Sequence, residues 1–173
     1  MSKTVMAKGR FLRLVNDGGW EYVERCRASG VVAIIPITRD GRIILVEQFR
    51  PPIGCQMIEI PAGIAGDIAG QESESFEVAA RRELEEETGY SGGDWQLLGV
   101  SPSSAGLTTE LITFFAALNV ERSSSGGGVE HEQIVIHEVP LPELPEWLSQ
   151  QAARGAMIDS KIFAALAMAR CAF

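Results

Sequence analysis

Residues 75–89 have the pattern of an amphipathic helix with clearly marked ends. Ser75 is a favoured N-cap residue, and Gly89 suits the left-handed position that ends many helices. At about 100° per residue, a set of apolar side chains falls within one arc of the helix. This set is Phe76, Ala79, Ala80 and Leu84. The segment is therefore predicted to be a helix that packs this face against the rest of the protein.

Two glutamates of this helix are predicted to point toward the same apolar face. Glu83 and Glu87 fall at about 340° and 20° on the helical wheel, inside the apolar arc, and Glu86 lies just off its edge. Like charges four residues apart are unfavourable even in water, and more so when both are buried. Arg82 lies on a different face and can offset only part of this charge. A divalent cation such as Mg2+ accepts carboxylates at this spacing, so Glu83, Glu86 and Glu87 are candidate metal ligands.

Charge, hydropathy and cysteine content narrow the class of protein. The 15 basic and 23 acidic residues give a net charge of -8, which disfavours general attraction to nucleic-acid backbones. Apolar runs are much shorter than the roughly 18 to 20 residues that cross a bilayer, and the first residues do not resemble a secretory signal. The 3 cysteines are widely spaced and predict reduced thiols. We therefore expect a cytoplasmic protein that binds neither nucleic acid nor membranes.

Strands and helices are predicted in an irregular order along the chain. Apolar and β-branched runs predict strands at residues 11–15, 21–26, 31–38, 43–49, 57–60, 95–100, 111–120 and 134–139, and further helices at 141–153 and 159–170. The dipeptide Asp40-Gly41 predicts a hairpin. This order favours a mixed α/β or α+β sandwich. The Ser/Gly-rich segment 122–129 is predicted to be a mobile loop within one domain of residues 1–173, because the roughly 44 residues after it are near the lower limit for a domain.

The predicted helix and its flanks resemble the Nudix box. The run Arg82-Glu-Leu-Glu-Glu-Glu-Thr-Gly-Tyr90 fits the second half of the box at every specified position, and Glu74 precedes Arg82 by the expected seven intervening residues. The first half departs from the pattern, because Ile68 stands where the box has glycine. Ten residues separate Gly63 from Glu74 where the pattern has five. This difference predicts a five-residue insertion in the loop before the helix, with the metal helix itself unaffected.

Other segments resemble the ADP-ribose and nucleoside-diphosphate-sugar pyrophosphatases of this family. They begin at Trp20, Val46, Glu59, Ser101 and Glu130. The resemblance implies an α/β/α sandwich with a mixed central sheet, preceded by antiparallel strands near residues 8–27 that cross to the partner in a homodimer. It implies a pyrophosphohydrolase that uses Mg2+ or Mn2+. The substrate would be ADP-ribose or a related nucleoside diphosphate sugar, and the products a nucleoside monophosphate and a sugar phosphate.

The resemblance also implies metal-binding and catalytic roles. Glu83 and Glu87 would be the main metal ligands, with Glu86 and the backbone carbonyl of Ala62 as further ligands. An ion pair of Glu74 and Arg82 would support the loop and the helix. The general base would be Glu130, with Glu132 beside it, or the reverse; the competing interpretation of both is an acidic solvated loop.

Substrate contacts are implied for a third set of residues. Trp20 would stack on the base and Glu21 would bond its edge, although Trp20 could instead belong to the core. The guanidinium of Arg50 suits bidentate contact with a diphosphate, the alternative being a solvated charge at a strand end. Arg25 and Glu59 are weaker candidates. The wall beside the diphosphate and the sugar would be Ser104, Ala105, Gly106 and Leu107, unless these form an ordinary turn.

Two other functions stay open at this point. The same chemistry could act on nucleoside triphosphates or dinucleoside polyphosphates, but the segments around Trp20, Arg50 and Ser101 argue against this. A non-catalytic module that senses ADP-ribose would be favoured by degenerate box carboxylates, and the carboxylates here are intact.

Overall fold

A computed structural model of the chain describes residues 2–68, 70, 72–128 and 133–172, with side chains as far as residue 170. Its strands are β1 (Thr4–Lys8), β2 (Leu12–Asp17), β3 (Trp20–Arg25), β4 (Gly30–Thr38), β5 (Arg42–Arg50), β6 (Cys55–Glu59), β7 (Ala62–Ala65), β8 (Tyr90–Ser91), β9 (Asp94–Pro102), β10 (Leu111–Arg122), β11 (Val135–Pro140) and β12 (Met157–Ile158). Its α-helices are α1 (Phe76–Thr88), α2 (Leu144–Ala153) and α3 (Ser160–Ala172), with a 3-10 turn at Leu141–Glu143.

The central layer is a mixed sheet, which within the described residues has 9 strands. Its main order is β12-β6-β5-β4-β10-β8, and β7, β9 and β11 pair with β4, β10 and β5. The pairs β4–β10 and β6–β12 are parallel. The other pairs are antiparallel. The predicted mixed sheet is confirmed.

Helices cover both faces of this sheet. On one face α1 packs Ala80 and Leu84 against alternate side chains of β4. On the other face Leu148 of α2 and Ile162 of α3 join the second half of the core. Because β4 is buried on both faces, its sequence is almost continuously apolar. The predicted α/β/α sandwich is confirmed, and no helix in the described part of the chain is long and apolar enough to span a bilayer.

The first three strands form a separate antiparallel sheet. Antiparallel strands were predicted near residues 8–27, where β2 and β3 lie. The backbone N–H of Val23 in β3 donates to the carbonyl of Leu107 at 2.8 Å, and the Val23 carbonyl accepts from Thr109 at 3.3 Å. These bonds attach the small sheet to the loop before β10. Large apolar side chains of this region are exposed: Val5, Met6, Phe11, Leu12 and Trp20. The proposed crossing of these strands to a partner stays a prediction.

Four short strands are absent from the sequence prediction. β1 has 5 residues, β7 has 4, and β8 and β12 have 2 each. Such segments are too short to show a hydrophobic period, and their pairing depends on distant residues. Cys26 and Cys55 are free thiols, as predicted, and the side chain of Cys171 lies outside the described residues.

The Ser/Gly-rich segment packs on the end of α1 between residues 123 and 128. The N–H groups of Gly127 and Gly128 donate to the carbonyls of Glu87 and Glu86 at 2.9 and 3.0 Å. These bonds satisfy carbonyls that a helix end leaves without partners. Gly126 has a φ of 62°, and a Cβ there would lie 2.3 Å from the carbonyl carbon of Thr88. Glycine lets the backbone of these residues approach the helix closely. The mobility expected of this segment stays a prediction.

Candidate metal and substrate site

The helix that carries the candidate metal ligands begins and ends where the sequence predicts. Ser75 accepts a hydrogen bond from the N–H of Val78 at 3.2 Å. Gly89 has a φ of 72°, and its N–H donates to the carbonyl of Glu85 at 2.8 Å. With both ends fixed, the middle and last turns of α1 lie beside β7.

Glu83, Glu86 and Glu87, called the carboxylate cluster below, lie on the part of α1 nearest β7. Glu87 is 5% exposed, and its carboxylate accepts the N–H of Ala62 at 3.1 Å. The Glu83 side chain is 14% exposed and lies against Gly63, where a Cβ would be 1.9 Å from the carboxyl carbon. Glu86 is more exposed. The wheel therefore predicts the burial of Glu83 and Glu87 correctly.

Arg82 connects this cluster to the preceding loop. Its Nη1 donates to Glu83 at 2.8 Å and to Glu86 at 3.2 Å. Its Nη2 donates to Glu74 at 3.1 Å and to the carbonyl of Ile64 at 3.2 Å. The expected contact with Glu74 is present. Although Arg82 lies on a different face of the wheel, its long side chain reaches the carboxylates of Glu83, Glu86 and Glu74. It offsets only part of the charge, as predicted, because the pKa of Glu83 stays raised.

The pKa values of two carboxyl groups beside Arg82 shift in opposite directions. Burial raises the pKa of Glu83 to about 6, although Arg82 opposes the shift, and the charges of Glu86 and Asp67 add to it. Burial would also raise the pKa of Glu74, but the N–H of Gly66 and the guanidinium of Arg82 hold it below its ordinary value. One arginine therefore does not fully compensate the carboxylates around it.

The donor set fits a divalent cation. Carboxylate oxygens are the ligands that Mg2+ and Mn2+ prefer, and the raised pKa of Glu83 indicates a need for more positive charge. Nη1 of Arg82 contacts Glu83 and Glu86, and among the described residues no three Glu, Asp, His or Cys side chains converge as a metal shell. Arg82 Nε and one oxygen of Glu74 are buried without a hydrogen-bond partner among the described residues. The contacts among the described residues thus leave one donor of Arg82 and one acceptor of Glu74 without a partner.

A cavity of about 530 Å3 opens beside the cluster and is bounded by Ala62 and Gly63. It brings together three more predicted residues, Arg25, Arg50 and Glu59. Arg50 donates from Nε to Glu59 at 2.6 Å, and Glu59 is 2% exposed. This buried carboxylate fixes the guanidinium at the cavity wall, where it can meet an anionic group.

The cavity also contains charged residues that sequence reasoning missed. Glu110 accepts from Arg25 Nε at 2.5 Å. Lys161 lies 3.5 Å from Glu59 and also contacts Asp159. Asp159 and Lys161 reach the cavity because β12 pairs with β6, and this long-range pairing has no local signal. The sequence offered one indication that Asp159 has a structural role, because it stands at the start of the predicted helix 159–170.

Other predicted site residues lie away from this cavity. Trp20 is 64% exposed, and its indole donates to the carbonyl of Gly106 at 3.3 Å. Glu21 follows it in β3. Ser104, Ala105, Gly106 and Leu107 form a turn, with the Leu107 N–H donating to Ser104 at 3.0 Å, and this turn contacts the N-terminal sheet. Glu130 and Glu132 lie outside the described residues.

Comparison with known proteins identifies the family of this chain. Residues 27–166 match the family model for the NUDIX domain. The chain belongs to the Nudix family. The family prediction made from the box is therefore confirmed. The match begins after β3, so the N-terminal sheet precedes the part of the chain that the Nudix model covers.

The Nudix chain is also similar to individual proteins. It is 33% identical over 129 residues to a methanol dehydrogenase activator of Bacillus methanolicus, covering 74% of this chain and 67% of the relative. It is 39% identical over 121 residues to an ADP-ribose pyrophosphatase of Bacillus subtilis, covering 69% and 63%. The matches thus span about two thirds of these relatives' lengths. A crystal structure of an ADP compounds hydrolase shares the fold, with a TM-score of 0.74, 20% identity, and coverage of 98% of this chain and 90% of that one.

Proposed function

We propose that this Nudix protein is a cytoplasmic, metal-dependent pyrophosphohydrolase. Its substrate is ADP-ribose or a related nucleoside diphosphate sugar, and its products are a nucleoside monophosphate and a sugar phosphate. The observation that carries the proposal is the partly buried carboxylate cluster beside a cavity with arginine side chains in its wall. The similarity to an ADP-ribose pyrophosphatase supports the substrate class.

Mg2+ or Mn2+ would be held by Glu83, Glu86 and Glu87, with the carbonyl of Ala62 as a further ligand. When bound, such ions neutralise diphosphate charge and lower the pKa of a coordinated water. Glu74 supports the cluster through Arg82, which it contacts at 3.1 Å. These assignments explain why acidic side chains are grouped on a partly buried helix face.

Diphosphate binding and proton transfer are assigned to residues of the cavity and its border. Arg50, oriented by Glu59, is placed to bind the diphosphate, and Arg25 is a second cation in the same wall. Glu130, or else Glu132, accepts a proton from the attacking water. The backbone leads into this segment from Gly128, whose N–H is bonded to the Glu86 carbonyl. Gly128, the last described residue before this segment, therefore lies next to the end of α1.

The base-binding residues belong to a homodimer in this proposal. Trp20 and Glu21 do not line the cavity of their own chain, and Trp20 is exposed. A partner's N-terminal sheet would bring them to the nucleobase. The turn at residues 104–107 would form the wall beside the diphosphate and the sugar.

A substrate panel tests the proposed activity. Purified protein with Mg2+ is given ADP-ribose, GDP-mannose, UDP-glucose and nucleoside triphosphates, and products are separated by chromatography. We expect a nucleoside monophosphate and a sugar phosphate from at least one diphosphate sugar. Preference for triphosphates would favour the other substrate class, and binding of ADP-ribose without turnover would favour a sensing module.

Variants of α1 make this test specific. Glu83→Gln or Glu87→Gln should lower kcat by several powers of ten, on the order of 4 to 7 kcal/mol. Glu77→Gln is the matched control, because Glu77 pairs with Arg81 on the exposed side of the helix. Activity of Glu83→Gln within a few-fold of the wild type would remove the metal role assigned to this residue.

A further inference from the structure

A second cavity, of about 370 Å3, adjoins the substrate cavity and is called the side cavity below. It lies among the first residues of β4 and β10 and Phe76 of α1. Arg25 and Glu110 line both cavities, so the ion pair between them stands where the two cavities meet. Small-ligand sites usually have volumes of roughly 300 to 1,000 Å3, and the side cavity falls within this range.

The side cavity lies at the start of the helix that carries the carboxylate cluster. Phe76, the first residue of α1, lines it, and Glu83 follows seven residues later, about 10 Å along the helix axis. Thr109 also lines the side cavity and comes two residues after the turn at 104–107. The side cavity is therefore close to the proposed metal ligands and to the turn assigned to the sugar.

Thr113 of β10 places a hydroxyl group in the side cavity. The residue is 6% exposed, and its hydroxyl makes no hydrogen bond with another described residue. The described residues do not fully enclose this hydroxyl, so the space that it meets is the cavity. Polar groups in such buried positions normally have a hydrogen-bond partner. The position of Thr113 thus favours a ligand that donates or accepts a hydrogen bond.

The ion pair between Arg25 and Glu110 leaves several of its polar atoms available. Arg25 donates from Nε to Glu110 Oε2 at 2.5 Å, whereas its Nη1 and Nη2 and Oε1 of Glu110 make no hydrogen bond with another described residue. The two side chains are 34% and 19% exposed, so a ligand can reach them. Together with Thr113, they offer donors, an acceptor and a hydroxyl. These groups match adjacent hydroxyl groups of a ligand, which both donate and accept.

Apolar side chains form much of the remaining wall of the side cavity. Phe76, Val100 and Leu111 are 37%, 55% and 53% exposed, so apolar surface is open to a ligand there. A free phosphate would gain nothing from this surface, and a purely apolar ligand would leave the hydroxyl of Thr113 without a partner. A sugar ring has apolar C–H faces and hydroxyl groups on its edge. The wall therefore favours a sugar.

We propose that the side cavity binds the terminal sugar of the diphosphate sugar. Thr113 is then a specificity-determining residue, because its hydroxyl bonds a hydroxyl group of the sugar. This inference rests on the proposed function, since it assumes a diphosphate held between the carboxylate cluster and Arg50. It deepens that function by naming the part of the chain that recognises the sugar.

Product inhibition tests which end of the substrate occupies the side cavity. Each product is one end of the substrate, and for ADP-ribose the products are AMP and ribose 5-phosphate. Thr113→Val removes the hydroxyl with little change of shape, and valine suits a strand. The inhibition constant of the sugar phosphate should rise about 3- to 10-fold, the usual effect of one hydrogen bond, and that of the nucleoside monophosphate should stay within about twofold. KM should rise more than kcat falls, because the hydrogen bond is already present in the bound substrate.

Thr113→Ser is the matched variant, because it keeps the hydroxyl and loses only a methyl group. It should recover most of the sugar phosphate affinity that Thr113→Val loses. If Thr113→Ser loses as much affinity as Thr113→Val does, packing at this position matters and the hydrogen bond does not, which would overturn the role of Thr113.

The remaining outcomes separate this inference from the proposed function. A higher inhibition constant for the nucleoside monophosphate, alone or equal to that for the sugar phosphate, would overturn the sugar assignment in favour of the nucleoside end or of a general disturbance. Unchanged inhibition by both products would also overturn it, while hydrolysis of diphosphate sugars by the wild type would leave the proposed function standing. If the wild type hydrolyses no diphosphate sugar, the proposed function fails, and the sugar assignment fails with it.

Discussion

At the scale of single residues, the buried carboxyl group of Glu83 makes stability depend on pH. Its pKa is raised from 4.5 to about 6, mainly by burial. The native state therefore binds more protons than the unfolded state between these values, and the free energy of unfolding falls as pH rises through this window. The full effect of the shift is about 2 kcal/mol.

This dependence can be measured by urea unfolding of metal-free protein between about pH 4.5 and 7.5. The stability of the wild type relative to Glu83→Gln should decline across this range by up to about 2 kcal/mol. Mg2+ added at the upper end should then stabilise the wild type more than the variant, because it binds the native state. Parallel curves for the two proteins would contradict the raised pKa.

Gly63 is a second residue on which the cluster depends. A Cβ at this position would lie 1.9 Å from the Glu83 carboxyl carbon, although the backbone conformation is one that alanine tolerates. Gly63→Ala should therefore displace Glu83 and weaken Mn2+ affinity by about 10- to 100-fold, as for other losses of ligand support. The control is Gly9→Ala, where a Cβ makes an ordinary contact of 3.5 Å with the Leu12 carbonyl. Unchanged affinity in Gly63→Ala would show that Glu83 is not held against this strand.

At the scale of elements, the end of α1 and the segment after β10 stabilise each other. Gly126 and Gly127 both have positive φ values, 62° and 101°, but only a Cβ at Gly126 meets the backbone of Thr88 and Gly89. Gly126→Ala should therefore lower the free energy of unfolding by about 1 to 3 kcal/mol more than Gly127→Ala does. Urea unfolding of both variants measures the difference. Equal losses would mean that the close approach to α1 contributes nothing beyond backbone strain.

Individual helices and strands also show which parts of the fold and of the site could be predicted from the sequence. The ends of α1 are set by Ser75 and Gly89, and the burial of Glu83 follows from the helical period, so local sequence was sufficient. Lys161 enters the cavity only because the two-residue strand β12 pairs with β6, and no local pattern encodes that pairing. The individual contacts of Arg82 could not be predicted, because a wheel shows the direction of a Cβ and not the reach of a long side chain.

At the scale of the whole molecule, the N-terminal sheet is an addition to the part that the Nudix model covers. That model begins at residue 27, whereas β1 to β3 end at Arg25. The sheet leaves Phe11 and Trp20 exposed at 67% and 64%, an arrangement typical of surfaces that bind another protein. The proposed homodimer would cover this surface and would place Trp20 at a neighbouring cavity.

A charged side chain introduced into this exposed apolar surface tests the proposed homodimer and its contribution to substrate binding. Phe11→Asp should weaken self-association about 100-fold, the loss typical of a central interface residue, and light scattering should then show a monomer at micromolar concentration. Since Trp20 would no longer reach a partner's cavity, KM for the preferred substrate should rise more than kcat falls. Val78→Asp is the control, because Val78 is also exposed but lies on α1. A wild type that is monomeric and fully active would show that each chain binds the base without a partner.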